Sequence, residues 1–358
     1  MTTLRLSQAR VRQNLRENPH CRWCTYAAPP NGRPNPAPGN AALRIHKGFA
    51  EIKGTLFRPI SDRRFFTIGS CFARQLERFL KEQNKPVLSA NSIPFEDFPH
   101  LFRTIQNSGS GVRTFLNRYN LPSMLSEFRN LAGGLAKDDP HWLLYKNGDK
   151  WCDLHYAWNF HDLSLEKCLE RRAVIVRHLS RALRDADTYV VTLGLCEAWF
   201  DVQAQSYLNS TPPPRVASAN PGQFELHFLD YEDNLQALTS IYELLSQLKG
   251  KEEFDLIVTV SPVPLNPTFT ESDVVVANTE AKAILRAVAG EAARRFSHVT
   301  YFPSYEIVMY SEPRTAWQED QLHVQLPMSR HVGATFLDLL GLRDKTDIEP
   351  LTDCNSSG

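Results

Sequence analysis

With 358 residues, 42% of them hydrophobic and 22% charged, the chain has an ordinary globular composition, long enough for one large α/β domain with insertions or for two smaller domains. Its 40 basic residues balance 40 acidic ones without a block of like charge, which argues against a nucleic-acid partner. No apolar run approaches the roughly 20 residues of a membrane span, and Met1-Thr2-Thr3-Leu4-Arg5-Leu6-Ser7 lacks the apolar stretch of a signal peptide, so a cytoplasmic protein with no transmembrane segment is expected.

Residues 1–64 hold no long periodic segment and include the run Ala28-Pro29-Pro30-Asn31-Gly32-Arg33-Pro34, so they read as an irregular N-terminal arm that wraps the domain or is partly disordered. Cys21-x-x-Cys24 lies in this arm. It has no second ligand pair, and His20 and His46 are poor substitutes, so no metal site is expected. The 7 Cys, an odd number at irregular spacing, read as reduced thiols.

At Phe65-Phe66-Thr67-Ile68-Gly69-Ser70-Cys71-Phe72 a strand runs into a Gly, and apolar residues then recur at helical spacing through Phe72, Leu76, Phe79 and Leu80. Gly69 allows a sharp turn that presents Ser70 and Cys71 at a helix N-terminus, where unpaired N–H groups and the dipole favour a thiolate or an oxyanion. The plainer alternative is a Ser that caps the helix beside a buried, inert Cys. Lys85-Pro86-Val87-Leu88-Ser89 reads as a short second strand and Asn91-Ser92-Ile93-Pro94 as the loop leaving it. Residues 95–160 form an irregular, aromatic-rich insertion whose Trp142, Tyr145, Trp151, Tyr156 and Trp158 could stack on a ring or close a lid over the core.

From Ser164 the alternation is regular. A helix through Leu165–Leu183, a strand at 188–193, a helix at 235–248 stopped by Gly250, a strand at 256–260, a helix at 280–296 and a strand at 299–302 follow in turn. Short continuous apolar strands between long helices indicate a mainly parallel sheet covered on both faces, a three-layer α/β/α sandwich over residues 65–340, with 341–358 as a C-terminal tail. Beyond the last strand stands Asp320-Gln321-Leu322-His323, in which a carboxylate three residues before an imidazole can fix its tautomer. The same spacing recurs at Asp97/His100 and Asp138/His141; only the third copy follows a strand and so opens at the sheet edge that carries Ser70 and Cys71.

Gly69-Ser70-Cys71-Phe72-Ala73 resembles the signature of the GSCFA domain family, which is grouped with SGNH/GDSL-like hydrolases. The resemblance extends in order through Thr192-Leu193-Gly194-Leu195-Cys196-Glu197, Thr259-Val260-Ser261-Pro262, Ala277-Asn278-Thr279-Glu280-Ala281-Lys282 and Asp320-x-x-His323. It implies a flavodoxin-like sheet and an acyl-transfer or ester site with a Cys/Ser-His-Asp triad. Laid without a gap on the Gly-Asp-Ser of those hydrolases, the block puts Cys71 at the nucleophile and Ser70 at the Asp; capsule-polysaccharide acetyltransferases, which carry Gly-Asn-Cys at the equivalent turn, are similar. A thiol at a helix N-terminus beside a His is expected to have a lowered pKa, so Cys71 is the first candidate and Ser70 the second.

The oxyanion hole departs from the SGNH pattern. The second-strand loop offers Asn91 in place of a Gly, and the third block has Glu197 and no Asn donor after Gly194. An absent donor is worth on the order of 3 kcal/mol of transition-state stabilisation unless backbone N–H groups replace it. The expectation is an O-acyl(acetyl)transferase acting on a carbohydrate or related hydroxyl, with no bound cofactor and acetyl-CoA as a possible acyl-donor substrate. A small-ester or carbohydrate esterase and a non-catalytic sugar-binding or assembly module are the alternatives.

Overall fold

The computed structural model describes residues 5–26, 32–53, 57, 62–106, 116–133, 142–157, 163–250 and 253–342, apart from the side chains of Asn91 and of 103–106. In chain order, α1 (Gln8–Glu17) precedes β1 (Phe65–Gly69), α2 (Cys71–Glu82) and the short α3 (Leu88–Asn91). The insertion holds α4 (Pro99–Gln106), α5 (Leu121–Ala132) and the hairpin β2 (Leu144–Asn147) and β3 (Lys150–Asp153). Then come α6 (Leu165–Asp185), β4 (Thr188–Leu193), β5 (Glu197–Asp201), β6 (Ser206–Tyr207), α7 (Pro214–Ala219), β7 (Phe224–Phe228) and α8 (Tyr231–Lys249). The chain closes with β8 (Asp255–Val260), α9 (Val274–Arg295), β9 (Val299–Phe302), α10 (Ser304–Met309), α11 (Pro313–Ala316) and α12 (Leu326–Leu340).

The central sheet is parallel throughout, in the order β1-β4-β8-β9. Side chains alternate along each strand, and the alternation divides the core in two. Phe66, Ile68, Tyr189, Val191, Leu256 and Val258 point into one cluster with α5, α6, α8 and α9, whereas Phe65, Val190 and Ile257 point into another with α2, α10 and α12. Two apolar faces, each covered by helices, are what a three-layer α/β/α sandwich requires.

The expected second strand is reduced to one parallel bridge, Phe65↔Val87, after which the chain turns at once into α3. With that bridge counted as a strand, the order is 2-1-3-4-5, and its switch point lies between β1 and β4, where sheets of this order place their ligands. Helix α9 begins at Val274, earlier than its apolar spacing indicated, because Asp273 caps it through Val275 N. Residues 197–228, where the sequence reading assigned no strand, hold β5, β6 and β7 as an antiparallel sheet in the order β6-β5-β7. Three of the insertion's aromatics are core: Trp142 and Tyr145 pack with Leu208 and Val216, and Tyr156 joins the main cluster, whereas Trp151 is half-buried. His141, Trp158 and Phe160 lie outside the described residues.

The described parts of the arm wrap onto the C-terminal elements. His46, Gly48 and Phe57 bond to the backbone of Tyr310, Glu312 and Leu339, Ala50 N donates to the Ser311 hydroxyl, and Phe49 stacks on His331. Helix α1 buries no residue. Of the tail, 343–358 lie outside the described residues.

The sheet's critical joint is Gly69, which pairs with Thr192 at φ +147°. A Cβ there would sit 2.6 Å from both the Cβ and the carbonyl oxygen of Thr192. Gly69→Ala should therefore cost upwards of about 2 kcal/mol in urea unfolding, from a steric clash and a strained backbone together. A loss below about 0.5 kcal/mol would contradict this account of the turn.

Candidate functional site

β1 ends at Gly69, and the positive φ swings the chain off the sheet so that Ser70 takes the N-cap position of α2 and Cys71 its first turn. Ser70 makes no capping bond. Its buried hydroxyl donates instead to Ser261 Oγ at 3.2 Å, beyond the end of β8, so the reading of Ser70 as a capping residue is replaced by a cross-sheet contact. Alongside, Gly194 follows β4, and a Cβ on it would meet the Tyr119 carbonyl oxygen at 2.7 Å and the Ser70 Cβ at 3.7 Å. The insertion's 117–120 segment is stitched over both strand ends: Arg118 N donates to Gly69 O and Leu195 N to Tyr119 O, each at 2.8 Å. Asn209 fixes that segment, accepting from Tyr119 N at 2.9 Å and donating to Asn117 O at 2.8 Å.

These strand ends open on a cavity of about 620 Å³ that Ser70, Cys71, Gly194, Glu197 and His323 all line. It lies at the carboxyl edge of the sheet, at the switch point. His323, on the turn between α11 and α12, directs Nδ1 to Asp320 Oδ2 at 2.6 Å, and Asp320 Oδ1 accepts from the backbone N–H of Leu322 and His323 at 3.0 Å. The carboxylate thus holds one imidazole nitrogen and leaves Nε2 to face other groups. Those three hydrogen bonds, the one from the imidazole first, bring the Asp320 pKa down to about 2, so the carboxylate stays ionised at any working pH. No hydrogen bond joins His323 to Cys71 or Ser70 among the described residues.

Burial pushes the Cys71 thiol above its ordinary pKa. The N–H groups of Phe72 and Cys71 and the Lys282 ammonium pull the other way without cancelling desolvation. The expected lowering at the helix N-terminus is therefore overturned: the dipole and the donors are present, but removal of the sulfur from water outweighs them. Tyr119 is close enough that negative charge on Cys71 opposes ionisation of its own phenol, which burial already pushes up.

Lys282 is the site-supporting residue that sequence reading passed over. It sits on the inner face of α9, 1% exposed, with Nζ donating to Gly194 O at 2.9 Å. Burial brings its pKa down to about 8, while negative charge on Cys196 or Cys71 would raise it. One buried cation thereby fixes the Gly194 turn and lowers the cost of a thiolate at Cys71. In the sequence, an isolated Lys in a helix is indistinguishable from a solvated one.

Glu197 is buried, with Oε1 accepting from Thr268 Oγ1 at 2.5 Å and Oε2 from Phe269 N at 2.8 Å, so it braces the loop that walls the cavity. The side chain of Asn91 lies outside the described residues. Trp199 and Leu208, and Val263, Leu265 and Phe269 on the loop after β8, are cavity residues that the sequence did not single out. Among the described residues no group of three or more His, Cys, Asp or Glu is placed to hold a metal ion, and no helix is long and apolar enough to cross a membrane.

Because its pKa is raised, the Cys71 thiol should be protonated at neutral pH, and its alkylation by iodoacetamide should still climb with pH beyond the ordinary cysteine pKa of about 8.5. A plateau reached at or below that ordinary value would mean that burial does not govern this thiol. Lys282→Met removes the cation and should slow Cys71 alkylation at pH 8 about three- to tenfold, with Cys21 in the same protein unchanged as reference. Glu197→Ala should free the 262–269 loop, read as faster proteolytic cleavage there; an unchanged cleavage rate would mean that the loop holds itself.

A search of curated proteins finds no match to this chain. The sequence profile of the GSCFA family matches residues 64–336, which take in the Ser70/Cys71 turn, Gly194, Lys282 and the Asp320/His323 pair. The chain therefore belongs to the GSCFA family.

Proposed function

We propose that this protein is an acyl-transfer enzyme of SGNH type that works through a covalent acyl group on Cys71. One observation carries the reading: a thiol at a helix N-terminus and an imidazole already bonded to a carboxylate, from opposite ends of the domain, open on the same cavity at the sheet's switch point.

His323 Nε2 takes the thiol proton as Cys71 Sγ attacks the donor carbonyl, and Asp320 stabilises the imidazolium. A raised thiol pKa makes this base essential, since little thiolate stands ready at neutral pH. The N–H groups of Cys71 and Phe72 that face the sulfur are positioned to receive the developing oxyanion, in place of the missing Asn donor. Collapse expels the donor's thiolate or alkoxide, which takes the proton back from His323. An acceptor hydroxyl then gives its proton to His323 and attacks the thioester, and collapse expels the Cys71 thiolate, which takes that proton back from His323. Thr211 and Asn266 line the cavity with groups suited to a carbohydrate or other hydroxylated acceptor, and water in that role gives an esterase. His323, whose side chain is 55% exposed, has the freedom to close on Cys71 when substrate enters.

A second reading, a non-catalytic binding module, draws on the raised thiol pKa and on the missing Cys71–His323 hydrogen bond. Turnover of p-nitrophenyl acetate separates the two. The enzyme reading expects Cys71→Ala to abolish turnover, His323→Ala to lower it about 10²- to 10⁴-fold, Asp320→Asn about 10- to 100-fold, and Ser70→Ala to leave most of it. Loss in Ser70→Ala with retention in Cys71→Ala would move the nucleophile to Ser70. No turnover by the parent protein would leave the binding module.

A further inference from the structure

The wall of the cavity says more about the acyl group than its catalytic rim does. Trp199, Leu208, Val263, Leu265 and Phe269 make most of that wall apolar, and Trp199 packs edge-on against Phe269 with ring centroids 5.4 Å apart. Among the described residues no Lys or Arg lines it, and its one carboxylate, Glu197, spends both oxygens on Thr268 and Phe269. A volume of about 620 Å³ falls in the range that encloses a sizeable organic ligand and far exceeds what a two-carbon acetyl group needs.

The apolar character continues outward. Phe269 is 46% exposed at the rim, and Leu265 N donates to Asn278 Oδ1 at 3.1 Å, which ties the wall to the start of α9. One turn before Asn278, on that same helix, Val275 and Val276 stand 68% and 61% exposed. Val274 is 36% exposed as well, so the start of α9 presents three consecutive valines to solvent.

Resting on the reading of Cys71 as an acyl carrier, we infer that the site is built for a medium-chain aliphatic acyl group, with the 263–269 loop as its specificity wall. The chain lies against Trp199, Leu208 and Phe269 while its carbonyl carbon meets Cys71. Any phosphate-bearing part of the donor remains outside, since the described lining offers it no cation. Chemistry that precedes this step would be acyl activation as a thioester or ester of a chain of that length.

The test uses the full-length protein and a series of p-nitrophenyl esters from acetate to decanoate, with unreactive acetamide and octanamide titrated calorimetrically. Burial of each added methylene is worth about 0.8 kcal/mol, so kcat/KM should climb by up to about fourfold per carbon until the cavity is full. Octanamide should bind and acetamide should not. Val263→Trp, which fills the wall, should flatten the series; Phe269→Ala, whose backbone bond to Glu197 survives, should lower the octanoate-to-acetate ratio at least fivefold even if the first variant fails to fold. Acetate turned over as well as octanoate would overturn the chain-length inference and leave the acyl-enzyme intact. Octanamide binding without turnover of any ester would remove the acyl-enzyme and keep the apolar site, whereas neither binding nor turnover would remove both.

Discussion

The close approach of β1 to β4 at Gly69 and Thr192 is the constraint on which the site depends. Parallel pairing brings the two backbones together at the last ladder position, and at φ +147° there is neither conformational freedom nor space for a side chain. From that point the chain leaves the sheet so abruptly that Ser70 and Cys71 fall at the head of α2. A second contact of the same kind follows: Gly194 at the end of β4 must be small to admit the Tyr119 carbonyl. Two glycines at the ends of adjacent strands therefore let the insertion lie directly over the switch point and roof the cavity.

Electrostatics at this joint is a contest between desolvation and fixed charge. Cys71 has a helix N-terminus, backbone donors and a nearby ammonium to favour its thiolate, and burial still wins. The same contest ends differently within the insertion, where Glu127 is fully buried yet has its pKa brought down to about 2. Desolvation opposes that shift, but the Arg118 charge and the His155 hydrogen bond at 2.6 Å together outweigh it. A full ion pair compensates burial; two N–H groups and a more distant ammonium do not. The structure thus has a locked polar cluster inside the insertion and, at the site, a thiol whose pKa burial raises.

What could be read from the sequence was what local periodicity encodes. The runs at 188–193 and 256–260 are mostly apolar because both their faces are buried, the edge run 299–302 keeps two half-buried positions, and the helices between them repeat at 3.6 residues. The turn at Gly69 and the Asp320/His323 pair were legible for the same reason, as short motifs whose geometry is local. The β5–β7 sheet was not: β6 has two residues, and β7 presents mostly half-buried positions with no clean alternation. Val87 looked like the centre of a strand, yet it forms one bridge before its neighbours turn into a helix. Lys282 and Glu197 are charged residues whose burial is decided by distant elements, α9 against β4 in one case and β5 against the 262–269 loop in the other. Nothing near them in the chain announces it.

The central claim is that Cys71 carries an acyl group between donor and acceptor. Peptide-mapped mass spectrometry tests it most directly, on protein mixed briefly with an activated ester and then chased with either buffer or a polyhydroxylated acceptor. The account predicts an acyl adduct on the Cys71 peptide, absent from His323→Ala, that decays faster in the presence of the acceptor. A Cys71 peptide that remains unmodified while ester is consumed would contradict it.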